Sequence, residues 1–209
     1  MTPKIKADVK KRLLELCYKN KLHHLGSYFS ALQIIDDIYA QMNDTDIFIL
    51  SNGHAVTALY VVLEKYHGIN AQELLEKYGD HPKRDEANKI YCSTGSLGLG
   101  LLVATGRAFA DKTKNVYCLI SDGEAAEGCV WEALRFAKEN KLDNLKIYCN
   151  ANGFSAYDPV DLDYLEKRIK AFHEDVVFVR TTVEHFDFLH GVDAHYYCMN
   201  EKDYESFDQ

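Results

Sequence analysis

This sequence predicts a three-layer α/β/α sandwich with a mostly parallel sheet. Three observations carry that prediction. Short apolar runs at 47–50, 116–120 and 146–149 are separated by stretches with helical periodicity, the pattern of strands covered on both faces. Each run ends in a polar, glycine-bearing junction: Ser51–Asn52–Gly53–His54, Asp122–Gly123–Glu124 and Asn150–Ala151–Asn152–Gly153. The chain has 209 residues, enough for one substantial core, and no linker divides it, so a single domain over 1–209 is expected.

The elements follow in order. Residues 3–20 place Ile5, Val9, Leu13 and Cys17 on one helical face. His23–His24–Leu25–Gly26–Ser27 interrupts this helix, and Ser30 is placed to cap a second one over 31–41, with Leu32, Ile35 and Tyr39 on its buried side. The first strand is 47–50. A helix through Ala58, Leu59, Val62, Leu63 and Tyr66 ends near Gly68, and a short one covers 71–78. The polar stretch 79–94 reads as a surface loop able to reach a cleft. Gly95–Ser96–Leu97–Gly98–Leu99–Gly100 opens a helix over 97–110 whose small residues permit close backbone approach. The central β-α-β unit follows. Phe154–Ser155–Ala156–Tyr157–Asp158–Pro159 leads to a helix over 161–172 and a last strand at 176–180. The tail from 181 has no assigned structure.

Lys and Arg number 24 against 32 Asp and Glu, a net charge of -8. That balance disfavours a nucleic-acid binder, which concentrates positive charge. It leaves open an anionic ligand held by a metal and backbone N–H groups. No CxxC pair occurs among the six cysteines, which read as reduced, mostly buried thiols. No apolar stretch reaches membrane-spanning length, and the first 20 residues form an amphipathic helix rather than a signal peptide. A cytoplasmic protein without membrane attachment is expected.

Asp122 and Asn152 lie 30 residues apart. One β-α-β unit brings both to the carboxyl edge of one sheet, where open α/β sheets bind ligands. There Asp122 offers a carboxylate, Asn152 an amide oxygen and Phe154 a carbonyl, all suited to a hard cation such as Mg2+ (or Ca2+ or Mn2+). Gly123 permits close approach of a diphosphate, and the following helix adds partial positive charge. Glu124 and Glu127 fall in that helix's first turn. His24, His54 and His81 each stand beside a glycine- or proline-bearing turn, where imidazoles can hydrogen-bond sugar hydroxyls or move protons. Their wide spacing does not favour zinc. The glycine run 95–100 lacks both the Lys-Ser/Thr ending of a Walker motif and the Rossmann spacing, which disfavours a nicotinamide site.

These motifs together resemble the N-terminal, diphosphate-binding half of transketolase, and especially split transketolases whose halves are separate chains. His24–Leu25–Gly26–Ser27, Phe48 through Ala55, Ser93 through Gly100, Ser121–Asp122–Gly123–Glu124 through Asn152, and Leu142–Asp143–Asn144–Leu145 carry the resemblance. It implies the thiamine diphosphate-binding fold. It also implies thiamine diphosphate with a divalent ion on Asp122, Asn152 and the Phe154 carbonyl. His54, Gly95, Ser96, Leu97, Gly123 and Glu124 would then lie along the cofactor. His24, His54 and His81 would face its reactive ring and the sugar, and Glu127 would approach the subunit interface. The implied reaction moves a two-carbon ketol unit from a ketose to an aldehyde. The pyrimidine pocket and its activating glutamate belong to another domain in this family. An obligate partner subunit, in an α2β2 assembly, is therefore expected.

The sequence departs from the family pattern in four places. Ser121 stands where Gly is usual, and Leu99 where Gln is common. Asp80 intrudes between Gly79 and His81, which is expected to displace the substrate loop. After residue 153 the domain is shortened: one strand is evident where the family has two, and His185 and His190 are both candidates for a late substrate histidine. Two alternatives follow from these departures. One is another thiamine diphosphate-dependent synthase or dehydrogenase component, and the other is a non-catalytic scaffold or regulatory subunit.

Overall fold

The computed structural model describes residues 7–155 and 158–207. Ile5 and the start of the expected first helix, together with Ala156 and Tyr157, lie outside the described residues. Four strands, β1 (Ile47–Leu50), β2 (Val116–Ser121), β3 (Leu145–Ala151) and β4 (Val177–Arg180), form one sheet in the order β1-β2-β3-β4, every pair parallel. Helices cover both faces, as expected.

Strand alternation divides the core in two. Phe48 and Leu50 of β1, with Tyr117 and Leu119 of β2, join a cluster packed by α1 (Ala7–Lys19), α2 (Leu25–Tyr39), α3 (Val56–His67) and α4 (Ala71–Tyr78). Ile49, Val116, Cys118 and Ile120 point the other way. They meet α5 (Leu99–Ala110), α6 (Gly128–Glu139) and α7 (Leu162–Phe172). Every residue of β2 is buried, which is why the run reads as continuously apolar. Each large side chain so buried contributes roughly 1.5–3 kcal/mol.

The helix ends follow local chemistry. The Asn70 side chain caps α4 by accepting from the Gln72 and Glu73 N–H groups, and Asp161 caps α7 through the Tyr164 N–H. Gly68 ends α3 in the left-handed conformation at φ 67°.

Two expected boundaries are corrected. The second helix begins at Leu25, not after Ser30. Ser30 lies inside it, 2% exposed, and its hydroxyl donates to the Ser27 carbonyl instead of capping. Tertiary burial of the Leu25–Ser30 turn outweighs the weak cap signal. After Asp122 the chain makes a 3-10 turn, Gly123–Ala126, before α6. Glu124 therefore lies in that turn, and Glu127 is the residue preceding α6.

The unassigned tail forms no further strand among its described residues. It has a 3-10 turn at Gly191–His195 and a helix α8 (Glu201–Glu205) with an Asn200–Asp203 capping box. Val183, Leu189, Ala194 and Met199 are buried in the α1–α4 cluster. Gly26 makes this packing possible, because a Cβ there would stand 3.0 Å from both Val183 Cβ and Ala194 Cβ. No helix among the described residues is long and apolar enough to cross a membrane.

Candidate active site

The ends of β1, β2 and β3 open on a cavity of about 160 Å3. His24, His54, His81, Leu97, Asp122, Gly123, Asn152 and Phe154 all line it. Residues spread over more than half the chain thus converge at the carboxyl edge of the sheet, because each strand hands over to its next segment there.

Asp122 is 2% exposed. Its Oδ1 accepts from the Gly123 N–H at 3.0 Å and its Oδ2 from the Gly153 N–H at 2.7 Å, joining the loops after β2 and β3. Desolvation pushes its carboxyl up to about 6, and the backbone donors only partly oppose this. Asn152, also buried, accepts from the Phe154 N–H through Oδ1 at 3.0 Å. The Phe154 carbonyl lies 3.8 Å from where a Cβ on Gly123 would stand. One carboxylate, one amide oxygen and one carbonyl make a set of hard oxygen donors. Among the described residues no three His, Cys, Asp or Glu side chains are arranged to hold a metal, so no protein-only cage exists there. The residues present instead fit a Mg2+-like ion that completes its shell with phosphate oxygens and water. Asp122, with no cationic side chain bonded to it among the described residues, is the charge such an ion would neutralise.

Opposite this oxygen set, three imidazoles form a near-equilateral triangle. Ring centroids are 5.7 Å apart for His24–His54, 5.9 Å for His24–His195 and 5.9 Å for His54–His195. Burial lowers all three: His54 to about 3, His195 to about 4 and His24 in the same direction. They are neutral at pH 7. Nδ1 of His24 and of His195 is buried without a protein partner, leaving hydrogen-bonding capacity for a ligand rich in hydroxyls.

His195 is the residue that sequence reasoning missed. The candidates it offered are corrected. His185 packs its ring against Phe29 with centroids 6.2 Å apart, His190 is exposed, and neither lines the cavity. The tail instead delivers His195, because the His24 N–H donates to the His195 carbonyl at 2.9 Å and Gly26 lets the tail lie on α2. Ser27 Oγ lies 3.4 Å from His195 Nε2. The available signal was the glycine turn Gly191–Val192–Asp193–Ala194–His195, of the same kind that marked the earlier histidines.

Asp80 does not carry His81 out of the site. Tyr28 donates to Asp80 Oδ1 at 3.2 Å and Tyr60 to the Gly79 carbonyl at 3.2 Å, which fixes the inserted residue. Gly95, at φ +147°, lies under His81; a Cβ there would stand 2.7 Å from the ring. Gly95 and Ser96 are exposed and, unlike Leu97, do not line the cavity. Leu99 is 47% exposed on α5 and also outside it. Glu127 is exposed beside Gly98.

Glu124 is fully buried and turned away from the cavity. Its Oε1 accepts from Ser51 Oγ and from the Gly98 N–H, both at 2.7 Å, and its Oε2 from the Ser121 N–H at 2.9 Å. Burial raises its pKa while these donors lower it. The carboxylate thus ties the ends of β1 and β2 to the glycine loop, and the Ser121 hydroxyl in turn accepts from the Glu124 N–H. Glu124→Gln is expected to cost about 2–3 kcal/mol in urea unfolding, because its NH2 must face one of these donors; an unchanged midpoint would discount the clamp.

The profile of the transketolase thiamine diphosphate-binding domain matches residues 27–188. The chain belongs to that family. The first of two subunits of an apulose-4-phosphate transketolase from Phocaeicola vulgatus is 33% identical over 193 residues, covering 80% of this chain and 68% of that protein. The transketolase of Pongo abelii is 39% identical over 149 residues, covering 64% of this chain. A transketolase from Pichia stipitis shares the fold at a TM-score of 0.64 and 19% identity, over 95% of this chain and 40% of that one. This transketolase-family chain spans 24% of the Pongo abelii protein.

Proposed function

We propose that this chain is the diphosphate-binding subunit of a two-subunit transketolase that moves a two-carbon ketol unit between sugar or sugar-phosphate substrates. The single observation that carries the reading is the facing of two chemistries across one cavity: the Asp122–Asn152–Phe154 oxygen set and the His24–His54–His195 triangle. The similarity to a Phocaeicola vulgatus protein named as one subunit of a transketolase supports the two-subunit form.

When bound, thiamine diphosphate supplies the carbanion chemistry that breaks and forms the carbon–carbon bond. The chain's own residues do the rest. Asp122, Asn152 and the Phe154 carbonyl hold the divalent ion that ties down the diphosphate, and the Gly123 turn leaves room for it. Neutral His24, His54 and His195 hydrogen-bond the sugar's hydroxyls and carry protons at the carbonyl and hydroxyl oxygens. His81 and Leu97 border the cavity mouth and limit water.

The partner supplies the pyrimidine pocket. An exposed apolar patch supports a docking face: Leu99, Leu102, Val103 and Phe109 of α5 are 38–50% exposed, and the Phe109 ring meets that of Phe136 on α6. Glu127, beside Gly98, lies at the start of this region. The test is reconstitution. Ketol transfer is expected only when the chain is mixed with a pyrimidine-binding subunit, thiamine diphosphate and Mg2+. Transfer by the pure chain, or none with any such subunit, overturns the reading.

A further inference from the structure

Ser30 is buried in the middle of α2, away from either end of the helix. Its hydroxyl has a full complement of partners. It donates to the Ser27 carbonyl at 3.2 Å and accepts from Asn150 Nδ2 at 2.9 Å and from Asn152 Nδ2 at 3.3 Å. A serine hydroxyl has one proton and two lone pairs, so all three capacities are used.

This arrangement decides which way two amides point. The Asn150 Oδ1 accepts from the Thr181 hydroxyl at 2.6 Å, so its NH2 is committed to Ser30. The Ser30 proton is committed to Ser27, so toward Asn152 the serine is an acceptor only. Asn152 must therefore turn its NH2 to Ser30 and its Oδ1 to the Phe154 N–H and the cavity. A flipped Asn152 would set its NH2 against the Phe154 N–H and its oxygen against the Ser30 lone pair. Both hydrogen bonds would be lost.

We propose that Ser30 is a positioning residue for the metal site: it locks the Asn152 amide so that an oxygen, never an NH2, faces the cation. The relay runs from Thr181 beyond β4, through Asn150 on β3 and Ser30 on α2, to Asn152. The last strand thereby communicates with the cation site without touching it. The inference rests on Asn152 being a metal ligand.

The test separates the two. Mn2+ is titrated into the full chain with thiamine diphosphate, and free Mn2+ is read by electron paramagnetic resonance. Four proteins are compared: wild type, Ser30→Ala, Asn152→Ala and the double variant. Ser30→Ala is expected to weaken Mn2+ binding about 10-fold, as loss of an orienting partner does. Asn152→Ala is expected to weaken it at least as much. The double variant should match Asn152→Ala within about 2-fold, since Ser30 acts only through that amide.

Loss in Asn152→Ala with none in Ser30→Ala, or effects that add in the double variant, overturns the lock. Wild-type binding in Asn152→Ala overturns the ligand assignment itself, as does absence of Mn2+ binding by the wild type. A second readout needs no metal. The Asn152 side-chain NH2, identified in NMR spectra by its disappearance in Asn152→Ala, should exchange slowly with water in wild type and fast in Ser30→Ala. Equal exchange overturns the lock. Should Ser30→Ala fail to fold, Ser30→Cys keeps the shape with a weak acceptor and carries the same expectations.

Discussion

Asp122→Asn abolishes metal-dependent binding of thiamine diphosphate while leaving the unliganded chain at least as stable as wild type: that is the expected result with the largest effect. The two halves have one cause. A carboxylate 2% exposed, bonded to two backbone N–H groups and to no cationic side chain among the described residues, is held in a poor environment for charge. Its pKa rises from 3.8 to about 6. The sign follows from linkage. A carboxyl raised in the folded state adds stability below its unfolded pKa and loses that stability as pH rises through its folded pKa. At pH 7 ionised Asp122 therefore costs the fold on the order of 2–3 kcal/mol. An amide removes that cost and keeps an acceptor for one loop N–H, but it removes the charge a divalent ion needs. Calorimetric titration of thiamine diphosphate with Mg2+, beside a thermal melt without ligand, checks both. Equal binding by variant and wild type would remove Asp122 from the metal site. A much lower melting temperature would show that the carboxylate serves the fold instead.

The second large effect concerns acid. His54, His185 and His195 have pKa values lowered to about 3, 4 and 4, in each case by burial first. For a lowered histidine the unfolded chain takes up a proton from about pH 6.5 downward while the folded chain does not. Stability is therefore full above about pH 6.5 and falls as pH drops toward the folded values. By about pH 5 each such histidine costs roughly 2 kcal/mol. Asp122 works in the opposite sense between about pH 6 and its unfolded value, and offsets part of the loss. The net expectation is a thermal midpoint that drops steeply from about pH 7 to about pH 5. His185→Leu separates this effect from the site, since His185 packs on Phe29 outside the cavity. It should flatten part of the pH dependence. A midpoint that stayed flat over that range in wild type would contradict the neutral assignment of these imidazoles.

Reading the strands from sequence worked because burial on both faces leaves an unbroken apolar run. IFIL at 47–50 is β1 as written, and the junctions after β1, β2 and β3 do meet at one edge. The turn after Asp122 was read as helix because Gly123–Ala126 differs from a first α-turn only in its hydrogen-bond register. Ser30 was read as a cap because serine before an apolar run is a cap signal. Nothing local says that Asn150 and Asn152, about 120 residues on, will take its lone pairs.

What the sequence determined by itself is the layered fold and the oxygen donors, since both follow from residues close in the chain: periodicity within an element, and one β-α-β crossover between Asp122 and Asn152. What only the tertiary structure decided is which groups face the cavity and in what orientation. Glu124 reads like a cofactor contact but turns inward to clamp three segments. His195 reads like tail but completes the triangle through a single backbone hydrogen bond to His24. Side-chain direction depends on partners far away in sequence, and a hydrogen bond across the fold outweighs any preference a local stretch can encode.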